Sequence, residues 1–187
     1  LHRAVGTVPS TYAAASATLA AGVPLLVFPG GDYESLRPVW QAHRVDFAGR
    51  MGFAKIAIQA QVPVVPLGIR GSAFTAPMLW RARWLAWLLV VPRLIGQKRW
   101  GISALGLLGA LGVATLPWAW PWRLLVAALW LGSPLSFAPW IPAPIQMAIG
   151  PPVPAPAPDA DPAALRDRVQ AAVQAQVRRL GEVRSGS

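Results

Sequence analysis

The sequence predicts an α/β fold in which a mostly parallel sheet is flanked by helices. Three observations support this prediction: a compact apolar run at residues 23–28, a helical pattern at residues 49–61, and a second apolar run at residues 62–69. Apolar runs of this length are typical of buried strands. A strand, a turn, a helix and a second strand in this order match one parallel crossover unit.

The first elements follow from capping and turn residues. Ser10 is the predicted N-cap of a short alanine-rich helix at residues 11–21, and Gly22 suits its C-terminal cap. Residues 23–28 then form the first predicted strand. Pro29, Gly30 and Gly31 end it, because proline offers no amide to a ladder and glycine permits unusual backbone angles.

The next predicted elements are the helix at residues 49–61 and the strand at residues 62–69. Apolar residues recur in the helix at spacings of three and four, at Phe53, Ile56, Ala57 and Ala60. Pro63 and Pro66 place the second strand at a sheet edge or at a bulge.

Charge and tryptophan are unevenly distributed along the chain. The net charge is +10, yet there is no acidic residue between Asp46 and Asp159, and nine of the ten tryptophans lie at residues 80–140. A composition that combines basic residues, tryptophans and aliphatic residues is typical of a membrane interface. In a surface that binds nucleic acid, the basic side chains are instead accompanied by soluble polar residues and stacking aromatic residues. We therefore expect residues 76–140 to interact with a membrane and expect no nucleic-acid partner. An adhesive protein surface is the simpler alternative.

Residues 101–137 are long enough for a membrane span, but glycines and prolines interrupt them. Three interpretations stay open. The segment forms a helical hairpin in one leaflet, a pair of ordinary buried helices or, least favoured, a true span. In each case it is a tryptophan-rich, apolar helical insertion in the predicted fold.

The C-terminal part begins with a predicted strand at residues 144–149 and a proline-rich linker at residues 150–158. Asp161 and Pro162 then open an amphipathic helix. Its apolar stripe, which we expect to pack on the rest of the chain, is formed by Leu165, Val169, Val173, Val177 and Leu180. The expected organisation is one domain at residues 1–158 and a C-terminal helix and tail at residues 159–187. Because the chain starts with Leu1 and lacks a signal-peptide pattern, we expect that a further N-terminal portion precedes it.

Several short motifs occur in a characteristic order. They are Phe28-Pro29-Gly30-Gly31 with Glu34 and Arg37, then Val45-Asp46-Phe47 with Gly49-Arg50 and Gly52-Phe53, then Val62-Pro63-Val64-Val65-Pro66. This set resembles the second half of the lysophospholipid/glycerolipid acyltransferase superfamily. More narrowly, it resembles the phospholipid/glycerol acyltransferase branch related to diacylglycerol acyltransferases. The resemblance covers residues 5–71 and, loosely, residues 142–153.

The resemblance implies which residues contact the acyl acceptor. Acceptor contact would fall to Phe28, Pro29, Gly30, Gly31, Glu34 and Arg37, with a structural role for Val62, Pro63 and Pro66. Many members carry glutamate at the position of Gly30, and this departure argues against a phosphorylated acceptor. From the residues themselves, Arg37 and Arg50 could hold phosphate or carboxylate groups. The alternative is that Glu34 and Arg37 only tie down the loop as a surface pair.

The catalytic base is missing from the expected place. Superfamily members carry a His-x4-Asp motif upstream of the glycine block, but His2 is followed five residues later by Thr7, and His43 precedes Asp46 by only three. His43 is the weaker, alternative base. We therefore predict no catalytic residue in this chain, and we expect the chain alone to be inactive. Without cysteines, and with only two histidines, it is expected to hold no metal site.

The leading functional hypothesis is a membrane-associated O-acyltransferase at the cytoplasmic face. It would move a fatty acyl group from an acyl-CoA or acyl-carrier-protein thioester to a glycerolipid-like hydroxyl, with no other cofactor. The alternative is a non-catalytic lipid-binding module of the same fold, and a third, weaker hypothesis is a nucleic-acid binder. The oligomeric state is left open.

Overall fold

The computed structural model describes residues 6–185, with side chains to residue 182. The helices are α1 (Tyr12–Ala20), α2 (Gly31–Ser35), α3 (Gly52–Ala60), α4 (Ser72–Thr75), α5 (Arg83–Leu88), α6 (Val91–Leu94), α7 (Ala104–Ala114), α8 (Trp120–Gly132) and α9 (Pro162–Ser185). The strands are β1 (Leu67–Arg70), β2 (Met78–Ala82), β3 (Trp100–Ser103) and β4 (Gln146–Ile149). Short 3-10 turns occupy Val39–Gln41 and Pro134–Phe137.

The predicted mostly parallel sheet is wrong. The strands of the described residues form two small antiparallel pairs, β1 with β4 and β2 with β3. Leu67 pairs with Ile149 in the first, and Ala82 pairs with Trp100 in the second. The error arises because an apolar run indicates a need for burial but carries no information about the direction of its partner.

Residues 23–28 do not form the predicted buried strand. They join no sheet within the described part of the chain, and the side chains of Val23, Leu26, Val27 and Phe28 are exposed. A strand exists only where a second backbone completes its hydrogen bonds. Among residues 6–185 none does so for this segment.

The second predicted strand is confirmed only at its end. Within residues 62–69, Val64 makes an isolated antiparallel bridge with Val153, and β1 starts at Leu67. Pro63 and Pro66 have no amide hydrogen, which limits the ladder before Leu67. The predicted strand at residues 144–149 is confirmed as β4, the partner of β1.

The ends of the predicted helices are close to the observed ones. Thr11, rather than Ser10, caps α1 by accepting a hydrogen bond from the Ala14 amide at 3.3 Å. Gly22, two residues after the last residue of α1, has a φ of 74°, a conformation that glycine adopts at little cost.

Helix α9 packs on the rest of the chain, as predicted. Both carboxylate oxygens of Asp161 accept first-turn amides, from Ala163 at 2.9 Å and from Ala164 at 3.2 Å. The buried part of its stripe completes the larger core of the chain. This core contains Val45, Phe47, Ala54, Ala57, Leu165, Val169 and Val177.

Two glutamines of α9 hold the segment that precedes α3. The Gln174 side chain accepts the Val45 amide at 2.8 Å and donates to the His43 carbonyl at 2.8 Å, and Gln170 accepts the Phe47 amide at 2.9 Å. The side chains of α9 thus supply hydrogen bonds that a neighbouring strand would otherwise provide to the backbone of residues 43–47. This arrangement also positions Asp46 close to the turn at residues 28–31, called the glycine turn below, because the Asp46 amide donates to Glu34.

A second core forms within residues 76–140, called the tryptophan-rich segment below. Leu85, Ala86, Leu89 and Trp100 are buried together, with Leu131 and other apolar residues packed around them. The Trp100 indole donates to the Leu131 carbonyl at 2.7 Å. Helix α5, strand β3 and helix α8 are therefore one packed unit.

Helices α7 and α8 form an antiparallel hairpin. The Trp130 indole, near the end of α8, donates to the carbonyl of Gly106 near the start of α7 at 3.0 Å. At the other end, Arg123 donates to the Ala114 carbonyl at 2.9 Å. Each helix buries only a single glycine, Gly106 in α7 and Gly132 in α8. Within the described residues the two helices are therefore largely exposed, unlike ordinary buried helices.

The hairpin exposes an apolar stripe on each helix. In α7 the stripe contains Leu107, Leu108 and Leu111, and in α8 it contains Trp122, Leu125 and Leu129. Spacings of three and four place such residues on one helical face. No helix within residues 6–185 has both the length and the apolar character that crossing a bilayer requires. The described hairpin therefore presents apolar faces without containing a span.

Candidate functional site

The glycine turn is shaped by two side chains that press against its backbone. Gly30 is buried and Gly31 has a φ of 48°. A methyl group at Gly30 would collide with the Glu34 side chain, and one at Gly31 would collide with the Arg50 guanidinium. A larger residue at either position would have to displace one of these side chains, and the positive φ of Gly31 by itself favours glycine. Phe28, just before them, is 67% exposed.

Arg50 fastens this turn to the start of α3. Its guanidinium donates to the Gly30 carbonyl at 2.7 Å and to the Pro29 carbonyl at 3.4 Å, and it forms an ion pair with Asp32. Asp32 was not among the predicted site residues. A carboxylate directly after the Phe28-Pro29-Gly30-Gly31 motif was a visible signal, but its arginine partner is eighteen residues away in sequence.

Glu34 and Arg37 form an ion pair with each other, as expected from the alternative in which they only tie down the loop. Arg37 donates to Glu34 Oε1 at 3.0 Å, and the same oxygen accepts the Asp46 amide at 3.2 Å. Burial lowers the pKa of Arg37, partly offset by the charge of Glu34. The pair thus joins α2 to residues 43–47, and Glu34 Oε1 is already engaged twice.

Of the two histidines, only His43 lies within the described residues, and no contact between it and the turn is seen there. His2 lies outside the described residues. His43 is exposed and has its ring centroid 5.7 Å from that of Phe74. Partial loss of solvent around the imidazole of this otherwise exposed residue lowers its pKa, and the charges of Arg70 and Arg37 lower it further. Among the described residues, no group of three or more acidic or histidine side chains could hold a metal ion.

Two arginines that were not among the predicted site residues, Arg81 and Arg99, lie over the ring of Tyr33. The Arg81 guanidinium lies 3.5 Å from the centre of the Tyr33 ring and donates to the Tyr33 carbonyl. The Arg99 guanidinium lies 5.2 Å from the same ring centre. An arginine over an aromatic face is stabilised by the ring quadrupole. Since Arg81 lies in β2 and Arg99 directly precedes β3, this contact joins the glycine turn to the tryptophan-rich segment.

The predicted site residues are therefore together, but most have internal partners. Arg37 and Arg50 bind Glu34, Asp32 and backbone carbonyls. Phe28 is the most exposed member of the predicted set. Arg81 and Arg99, whose guanidinium groups face Tyr33, add positive charge beside Tyr33.

The Asp32 ion pair gives a testable dependence on pH. Burial raises the pKa of Asp32, but its hydrogen bond to Arg50 and the charges of Arg50 and Arg99 outweigh this and lower it below 3.8. A carboxyl with a lowered folded-state pKa stabilises the protein above the unfolded value, and this stability is lost as the pH falls through the folded value. We expect Asp32→Asn to reduce the slope of unfolding free energy against pH below about 4, measured by urea denaturation. Asp159→Asn is the control, and an unchanged slope for Asp32→Asn would contradict the role of this pair.

The relatives of the chain do not show its function. Over 104 residues it is 36% identical to the uncharacterized proteins Rv0502 and MT0523 of Mycobacterium tuberculosis and Mb0514 of Mycobacterium bovis. The alignment covers 54% of this chain and 27% of each relative, so the chain matches about a quarter of the length of these curated proteins. No protein-family model matches the chain, and no solved structure matches it significantly.

Proposed function

We propose that this chain is the membrane-binding and acceptor-binding part of a glycerolipid O-acyltransferase. The reaction would transfer a fatty acyl group from an acyl-CoA or acyl-carrier-protein thioester to a glycerolipid-like hydroxyl. The proposal rests on the ordered motifs of the glycine turn and on one structural observation. The tryptophan-rich segment, which has no acidic residue, carries exposed apolar side chains and contacts the turn through Arg81 and Tyr33.

The exposed side chains of this segment suit a bilayer interface. They include tryptophans and long aliphatic residues in all three longer helices of the segment, namely Trp84, Trp87, Leu88, Leu107, Leu108, Leu111, Trp120, Trp122, Leu124, Leu125 and Leu129. Indole rings favour the headgroup level, and leucines favour the acyl boundary. Contiguous apolar patches on a protein surface mark interaction sites.

Basic residues in the same segment would add attraction to anionic lipids. Arg81, Arg83, Arg93, Lys98, Arg99 and Arg123 are present, and no carboxylate of the segment competes for them. Each basic side chain near an anionic surface contributes about 1 kcal/mol. This charge supports an encounter with the cytoplasmic face, where anionic lipids are concentrated.

The glycine turn would then meet a lipid acceptor at the membrane surface. Phe28 is exposed next to the rigid turn, while Gly30, Glu34 and Arg50 hold the turn in shape. Acyl transfer also needs a base to remove the hydroxyl proton. The sequence contains no His-x4-Asp pair to supply one, so catalysis is proposed only for a protein that combines this chain with such a pair.

Liposome flotation and an acyl-transfer assay test this proposal in two steps. The chain should float with phosphatidylcholine liposomes that contain phosphatidylglycerol, and high salt should weaken binding without abolishing it, because salt screens charge but not apolar insertion. Complete release by salt would contradict insertion of the tryptophans. A protein that combines this chain with a His-x4-Asp pair should transfer labelled acyl groups from acyl-CoA to diacylglycerol or monoacylglycerol.

The second candidate is a non-catalytic lipid-binding module. It is favoured by the internal pairing of Glu34 with Arg37 and by the lack of a His-x4-Asp pair in the sequence. Liposome binding by a folded protein that combines this chain with a His-x4-Asp pair, without acyl transfer to any acceptor, would support this candidate and contradict the enzyme.

A further inference from the structure

A surface groove lies between the 3-10 turn Val39–Gln41 and strand β2. Its lining residues are Pro38, Trp40, Gln41, Leu79, Trp80 and Arg81, and its volume is about 320 Å³. We propose that this groove binds the headgroup and glycerol backbone of an anionic glycerophospholipid. The proposal rests on the membrane function above and names the class of lipid that the surface selects.

Charge around the groove favours an anion. Arg81 lines the groove directly. Its positive charge helps to lower the pKa of the half-buried Arg37. The nearby carboxylate of Glu34 is bound to Arg37 and to the Asp46 amide. A choline or ethanolamine headgroup would bring a further positive charge toward Arg81, whereas a phosphate with no compensating cation would be attracted.

Apolar and aromatic lining favours a lipid over a free anion. Trp40 is 67% exposed and Trp80 is 60% exposed, and both line the groove with Leu79. Indole rings offer an apolar surface for glycerol and the first acyl carbons, and their N–H groups can donate to phosphate or ester oxygens. The volume lies at the lower end of the range of ligand pockets, which suits a headgroup but not two full acyl chains.

The position of the groove also suits a membrane lipid. Strand β2, which supplies Leu79, Trp80 and Arg81, ends at Ala82, and α5 begins at the next residue. Helix α5 carries the exposed Trp84, Trp87 and Leu88. A lipid with its headgroup in the groove would therefore have its chains beside side chains that are proposed to enter the bilayer.

Short-chain lipids test the groove without a bilayer. Calorimetric titration of the full chain with dihexanoylphosphatidylglycerol below its micelle concentration should give at least about tenfold tighter binding than dihexanoylphosphatidylcholine, as expected for one charge-assisted contact. Arg81→Gln should remove this preference, and Arg81→Lys should retain part of it. Arg168→Gln, which removes an exposed arginine of α9, should change neither affinity.

Trp40→Ala gives a second test, because its exposed side chain can be removed with little effect on folding. We expect about tenfold weaker binding of dihexanoylphosphatidylglycerol. Leu26→Ala, which removes an equally exposed apolar side chain outside both the groove and residues 76–140, should bind this lipid as the parent chain does.

Three results would overturn the proposal. They are equal affinity for the two lipids, equal effects of Arg81→Gln and Arg168→Gln, or binding of inorganic phosphate as tight as that of dihexanoylphosphatidylglycerol. Liposome flotation separates this proposal from the membrane function. Normal flotation with no lipid preference contradicts the groove alone, and soluble-lipid binding with no flotation contradicts the membrane function alone.

Discussion

Trp120→Ala combined with Trp122→Ala is expected to weaken binding to phosphatidylglycerol-containing liposomes by at least about 30-fold. The two side chains are 68% and 62% exposed and belong to the helix that forms one arm of the α7–α8 hairpin. Transfer of apolar area from water contributes roughly 25 cal/mol per Å². Partial insertion of two indole rings therefore contributes about 2 kcal/mol or more. Flotation over a range of lipid concentrations measures the change.

A matched control removes exposed apolar residues outside the tryptophan-rich segment. Tyr12→Ala combined with Leu26→Ala should float as the parent chain does, since both residues lie outside residues 76–140. Both double variants should keep the parent circular dichroism spectrum. Unchanged flotation of the tryptophan variant would show that this part of α8 stays out of the bilayer.

Glu34→Ala is expected to lower the free energy of unfolding by roughly 2 to 3 kcal/mol. The substitution removes the partner of the Asp46 amide and leaves the half-buried guanidinium of Arg37 without its carboxylate. An unpaired buried charge or amide costs more than the intact bond contributes. The measurement is the midpoint of urea denaturation at an unchanged slope.

Two neighbouring variants calibrate this result. Glu34→Gln keeps a side-chain oxygen as acceptor and should cost less than Glu34→Ala. Ser35→Ala removes only an exposed hydroxyl that donates to the Gly31 carbonyl at 3.0 Å, and should change stability by less than about 0.5 kcal/mol. If Glu34→Ala were as stable as the parent, Glu34 would be free for acceptor contact, as the family resemblance implied.

These partnerships refine the prediction for the acceptor site. Glu34, Arg37 and Arg50 hold the glycine turn together, so a direct role in binding would require them to give up existing contacts. Phe28 is exposed, and Arg81 faces Tyr33 beside the groove. We therefore expect substitutions at Phe28 to affect acceptor binding more than stability, and those at Glu34 to do the reverse.

Local signals predicted the helices well. Asp161 and Pro162 start α9 as expected, and the apolar stripe of α9 enters the core. The glycine of the α1 cap was also identified correctly, while the N-cap was misplaced by one residue. Such features depend on side chains within a few positions of one another.

Strand pairing was predicted poorly for the opposite reason. Residues 62–69 and residues 23–28 both look like buried parallel strands, yet β1 pairs with β4 from the C-terminal side and residues 23–28 pair with no described strand. A short apolar run has the same composition in a parallel, an antiparallel or an unpaired setting. Distant backbones decide among these outcomes.

By itself, the sequence determined the N-cap of α9, the glycine at the end of α1, the glycine turn and a basic tryptophan-rich segment without acidic residues. Only the tertiary structure decided that Arg50 pairs with Asp32, that Arg81 stacks on Tyr33, and that α7 and α8 expose their apolar faces. Caps and turns depend on interactions a few residues apart, which a single sequence contains in full. Ion pairs, ring contacts and exposure depend on which distant segments meet, and that is settled by packing of the whole chain.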